Sequence, residues 1–259
     1  KLSSDIEIVI NKFDISEIPS GKFQYIIEVR NSKNEIVSSN SYFFLRSNPK
    51  ITPDLDNLES ININESFAEK ITNKDTLTLM ISCMAPISSE MDKAFAQKLI
   101  KEGDLYTMQQ YLYQFWTERK PENPEKAFKN YLEEVAKVEQ FFKTPIGRGF
   151  ETDRGRIYLQ YGAHNVISEN YNEPSNLPYE IWQYYNIGNQ SNVKFIFYAP
   201  DRSNNDFILL HSTATGEVSN YRWRYYLANK ENQFDSIDDT REGDDDWGNQ
   251  LNKNINNPR

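Results

Sequence analysis

Residues 123–161 read NPEKAFKNYLEEVAKVEQFFKTPIGRGFETDRGRIYLQY, and within this stretch the apolar period changes. From the start, Ala127, Phe128, Tyr131, Leu132, Val135, Val138 and Phe142 recur at three- and four-residue intervals, while Lys126, Lys129, Glu133 and Lys137 fall on the other side. That is the pattern of a helix packed along one face. Asn123 suits the N-cap, Pro124 the first helical position, and Glu125 the positive end of the helix dipole. Beyond Gly149 the period becomes two, and a strand is expected over residues 156–161.

Working upstream, three more helices are expected at residues 74–84, 88–102 and 104–119, separated by Ala85-Pro86, Glu102-Gly103 and Lys120-Pro121. Residues 49–63, with two prolines and several Asn and Asp, read as a linker. Before it the period is two: Ile6, Ile8 and Ile10 alternate with polar neighbours, as do Phe23, Tyr25, Ile27 and Val29, and Tyr42 to Leu45 completes the last strand. Pro19-Ser20-Gly21 and the run from Asn31 to Asn34 supply the turns. Three or four strands are too few for a sandwich, so residues 1–48 are expected to be the end of an immunoglobulin-like domain.

Downstream, strands are expected at residues 179–184, 193–198 and 206–211, with no long helix between them, which argues for an antiparallel sheet. Residues 162–178 read as a long polar loop, either a binding loop or surface chain. The expected fold class is therefore α+β. An N-terminal antiparallel β domain (1–48) and a linker (49–63) precede a unit (64–259) in which a helical segment is followed by a C-terminal antiparallel sheet.

Composition bounds the function. A net charge of −9 opposes a phosphate backbone, so nucleic acid is excluded as an expected partner. No run of about 18 apolar residues could form a transmembrane helix. The 16 Tyr, 15 Phe and 4 Trp favour sheets and contact surfaces. The chain begins with Lys and enters directly into a strand, so it is expected to be a processed or trimmed fragment, with any signal or lipid anchor upstream. Cys83 is the single cysteine, which excludes an internal disulfide or thiolate cluster and points to a small core residue on a helix.

Chemistry-bearing residues are few. His164 and His211 are the only imidazoles. His211-Ser212 invites a nucleophile reading, yet no G-x-S-x-G elbow is present and adjacent residues rarely achieve that geometry, so His211 is better read as a polar residue at a strand end. No H-E-x-x-H spacing supports zinc. Asp238, Asp239, Glu242, Asp244, Asp245 and Asp246 cluster around Gly243, and Asp244 and Asp246 are the candidates for calcium. The spacing fails as an EF-hand, and a solvated tail is the default. Asp153 with Glu151 or Glu180 could be paired carboxylates of a glycosidase, but no separation follows from sequence. Tyr221, Trp223, Tyr225 and Tyr226, interleaved with Arg222 and Arg224, could contact a sugar or a partner protein, or form a packed terminal segment. No cofactor is expected.

The run Gly149-Phe150-Glu151-Thr152-Asp153-Arg154-Gly155-Arg156-Ile157-Tyr158-Leu159-Gln160-Tyr161-Gly162 resembles the signature of the GWxTD domain family, continuing into its R-G-R-V-Y-I-x-Y-G-type stretch. Glu102-Gly103-Asp104, Gln114-Phe115-Trp116 and Asn123-Pro124 resemble its helical region. Tyr179-Glu180-Ile181-Trp182, residues 195–197 and Leu210-His211-Ser212 resemble its sheet, and the resemblance covers residues 64–259. Phe150 replaces the signature Trp, and Ala163-His164-Asn165 stands where prolines and an acidic residue are more usual. The resemblance implies a bacterial envelope setting, periplasmic or outer-membrane associated, and no established activity. Read physically, the glycines allow tight backbone geometry, and Thr152 or Asp153 satisfies free N–H groups at the entry to a strand. Trp182 is expected to face the core between sheet and helices. The expected function is that of a non-enzymatic subunit or accessory factor of an outer-membrane or secretion assembly, bound to other envelope proteins. A carbohydrate-binding module is the alternative, and a hydrolase the more distant one.

Overall fold

The computed structural model describes residues 12–16, 21–31, 36–46, 58, 61–173, 176–201, 206–220 and 222–228. The fold is α+β, with six helices and two antiparallel sheets among those residues. Strands β1 (Gly21–Arg30) and β2 (Ile36–Arg46) pair antiparallel, with Tyr25 opposite Tyr42 and an irregularity at Val29/Arg30. The expected strand around Ile6 to Ile10 lies outside the described residues.

Helices α1 (Lys74–Ser82), α2 (Glu90–Glu102), α3 (Leu105–Arg119) and α4 (Pro124–Phe142) begin where their caps dictate. Asn73, Ser89, Asp104 and Asn123 each accept a hydrogen bond from the backbone N–H three residues on. Their apolar faces meet in one core that includes Leu77, Ile81, Leu99, Met108, Leu112, Phe115, Trp116 and Phe128. The core begins earlier than residue 64, because Leu58 is buried in it and Ile61 packs against it. Two glutamines of α3 hold this incoming segment: Gln110 Nε2 donates to Ile61 O at 2.8 Å, and Gln109 Nε2 to Ile71 O at 2.9 Å. Cys83 is buried at the end of α1, where desolvation pushes its thiol up to about 12.

The expected strand over residues 156–161 is instead a helix, α5 (Asp153–Tyr161). It runs between two layers, which explains the misleading alternation. Residues two apart on a helix lie about 200° apart around its axis, so Ile157 faces the sheet while Leu159 faces Val138 and Phe150 on the helical side. Gly162, at a φ of +84°, ends the helix.

The second sheet has the order β3-β4-β5-β6, antiparallel throughout: β3 (Val166–Asn170), β4 (Tyr179–Ile187), β5 (Gln190–Tyr198) and β6 (Ile208–Ser212). Strand β3 lies inside the segment read as a polar loop. As a short edge strand carrying Ser168, Glu169 and Asn170, it has too little apolar alternation to announce itself. Both faces of β4 are covered. Trp182 and Tyr184 pack under α5, whereas Tyr179 and Ile181 pack with Trp223 and Leu227 of a short helix α6 (Trp223–Leu227).

Candidate functional site

The GFETDRG stretch sits where α4, α5 and the sheet converge. A 3-10 turn at Gly149–Glu151 leads into α5. Thr152 caps the helix: its Oγ1 accepts from Gly155 N at 3.1 Å and donates to Gly149 O at 2.8 Å. Glu151 Oε2 accepts from Arg148 N, and Glu139 Oε2 of α4 accepts from Gly149 N at 2.6 Å. The two glycines are there for close approach. A Cβ on Gly149 would strike the Val138 carbonyl, and one on Gly155 would strike the Gly149 carbonyl.

Of the two residues expected to satisfy local N–H groups here, Thr152 does so, and Asp153 bonds at a distance. Its Oδ2 accepts from Leu209 N of β6 at 2.7 Å, so the carboxylate joins α5 to the outer strand of the sheet. Ser212 N, also on β6, donates to Val218 O, and the strand's edge is thus blunted by contacts within the chain. Arg154 is buried and donates from Nη1 to Glu180 Oε1 at 2.7 Å, with the two side chains 5% and 3% exposed. Glu180 also accepts from Tyr171 OH and Trp182 Nε1, each at 3.0 Å. The Arg154 guanidinium lies 4.3 Å over the Phe207 ring. Two residues on, Arg156 grips Glu217 through two bonds of 3.0 and 2.9 Å, and Tyr161 OH donates to the same carboxylate.

The family model of the GWxTD domain matches residues 57–229, spanning both the helical core and this junction. The chain belongs to the GWxTD domain family. No curated protein and no solved structure matches it.

Within this GWxTD domain, Phe150 fills the position of the signature Trp and is buried with Cys83, Val138 and Leu159. Of the two glutamates named as possible partners of Asp153, Glu180 is committed to Arg154 and Glu151 accepts from Arg148 N. His211 and Ser212 point to different partners: His211 Nδ1 accepts from Asn220 N at 3.1 Å, and Ser212 Oγ accepts from Ala214 N at 2.9 Å. Burial, and then the Arg224 charge, hold His211 below the usual imidazole range, in keeping with a neutral acceptor. His164 packs against Trp182 at a tilt, with ring centroids 4.7 Å apart, and is likewise lowered by burial. Trp182 itself is fully buried beside Ile157 and Phe195. On α6, Trp223 points inward, while Tyr225 and Tyr226 are exposed. Tyr221, Asp244 and Asp246 lie outside the described residues.

What the sequence did not disclose is a groove of about 380 Å³ against the motif turn, lined by Ile81, Pro86, Ala96, Ile100, Phe150 and Arg156 among others. Its volume is that of a small ligand pocket, and its walls are largely apolar. The only local signal was the Ala85-Pro86 break. The rest comes from residues far apart in the chain.

The role of Asp153 is open to measurement. Asp153→Asn keeps an acceptor for Leu209 N and should lower stability by about 1 kcal/mol or less. Asp153→Ala strands that donor and should lose about 1–3 kcal/mol. Equal chemical denaturation midpoints for the Ala variant and the wild type would show that the Asp153–Leu209 bond contributes nothing to stability.

Proposed function

We propose that this GWxTD domain protein is a non-enzymatic component of the bacterial envelope, periplasmic or outer-membrane associated. In this reading it acts as a subunit or accessory factor of an outer-membrane or secretion assembly, through contacts with other proteins. The observation that carries the reading is how the motif uses its polar groups. Thr152, Asp153, Arg154 and Arg156 are all engaged by partners within the chain, and Asp153 and Arg154 join the helical layer to the sheet. A motif so committed positions layers, and the apolar groove beside it is left to receive a side chain of a partner. The β1–β2 hairpin, as the end of an immunoglobulin-like unit, offers a second contact surface, with Ile27 and Val29 exposed.

The test is a photo-crosslinking residue at Gln97 in the groove, compared with Glu133 on the outer face of α4. A discrete protein adduct from Gln97 alone is expected. Recovery of only the monomer from both positions, in intact envelopes, would count decisively against the proposal. The carbohydrate alternative draws on Tyr225 and Tyr226, 60% and 51% exposed on α6. A glycan-array preference abolished by Tyr225→Ala would favour it instead.

A further inference from the structure

A second cleft, of about 490 Å³, opens where α3 ends and α4 begins, remote from the motif in sequence. Its apolar walls include Ile87, Trp116, Ala127 and Tyr131. Over them stand three cations: Arg119, Lys120 and Lys126. Arg119 is occupied by Asp92 at 2.9 Å. Lys120 and Lys126 are exposed and have no ion-pair partner among the described residues. Of the acidic side chains nearby, Glu125 is held by Lys129 at 2.7 Å, and Glu122 is the one carboxylate on the rim. The amino end of the 19-residue helix α4 adds a positive dipole.

An independent observation points the same way. Trp116 is 5% exposed, and its indole Nε1 is closed to solvent and lacks a hydrogen-bond partner among the described residues. Buried donors are nearly always satisfied, and the rings around this one, Phe115, Phe128 and Tyr131, lie edge-on or tilted to it with centroids 5.6, 5.7 and 5.4 Å away. Tyr131 has already given its hydroxyl hydrogen to Cys83 O. Asn130 on the rim adds an amide able to donate.

We propose that this cleft binds an anionic head group carried on an apolar body, such as an aliphatic carboxylate. The head lies between Lys120 and Lys126 and accepts from Trp116 Nε1, and the body rests on Ile87 and Ala127. Binding requires the indole N–H, which is closed to solvent, to be uncovered by a small movement of the cleft wall. Charge and apolar contact are both required. The head group by itself gains two solvated lysines and one indole donor without any apolar burial, and a neutral amphiphile leaves the lysines unanswered.

The test is a titration of the full chain with octanoate, followed by nuclear magnetic resonance of the indole N–H signals, with Trp116→Phe assigning the relevant one. Octanamide serves as the neutral probe and inorganic phosphate as the head group without the body. Saturable movement of the Trp116 signal by octanoate is expected, with weaker responses to the other two. The double variant Lys120→Ala/Lys126→Ala, whose exposed positions leave folding intact, should bind octanoate about tenfold more weakly. Octanamide binding as tightly as octanoate, or an unchanged affinity in the double variant, would overturn the proposal.

Discussion

Glu180→Ala should destabilise the protein by about 3–5 kcal/mol, the range for removing one partner of a buried ion pair. Glu180 sits in β4 with its side chain 3% exposed, and three donors converge on it: Arg154 Nη1, Tyr171 OH and Trp182 Nε1. Truncation leaves the Arg154 charge without its carboxylate in a site where water cannot replace it, and it also orphans the Trp182 indole. The double variant Arg154→Met/Glu180→Leu removes both charges together and should recover much of that loss, since a buried pair often does no better than apolar residues of similar volume. Urea denaturation of the two variants and the wild type checks this, read as shifts in midpoint at constant slope. A single variant within about 1 kcal/mol of wild type would mean that water or another group relieves the stranded arginine.

Gly155→Ala should lose about 3 kcal/mol or more, an unusually large effect for one added methyl group. The new Cβ would collide with the Gly149 carbonyl and come within 2.7 Å of Val138 Cγ1. The carbonyl is main chain and cannot turn aside, so α5 must move away from α4, opening the cluster of Cys83, Val138, Phe150 and Leu159. Gly162→Ala is the control. Its Cβ would meet nothing within 4 Å, but its φ of +84° is strained for an L side chain, and a loss of about 1–2 kcal/mol is expected from the backbone alone. The ordering of the two thermal midpoints is the decisive reading. Equal losses would show that the glycines of the motif serve backbone conformation and not close packing.

The sequence by itself determined the elements whose signals are local. Four helices fall within a few residues of expectation because Asn73, Ser89, Asp104 and Asn123 satisfy backbone donors only three positions away, and a one-sided apolar face repeats every turn. Strands β4 and β5 were legible for the same reason, through alternation over several residues. Tertiary structure decided the rest. Helix α5 looked like a strand because it is buried on opposite sides, a condition set by α4 and the sheet and not by its own nine residues. Strand β3 looked like a loop because an edge strand needs little apolar pattern once β4 supplies its hydrogen bonds. Above all, the long-range partners of Asp153 and Arg154 were invisible. Arg154 reaches Glu180 across 26 positions and Asp153 reaches Leu209 across 56, distances over which a chain leaves no spacing rule to read. Such pairings exist only after the two layers have packed, because burial is what makes an unpaired charge or a free N–H too costly to leave alone.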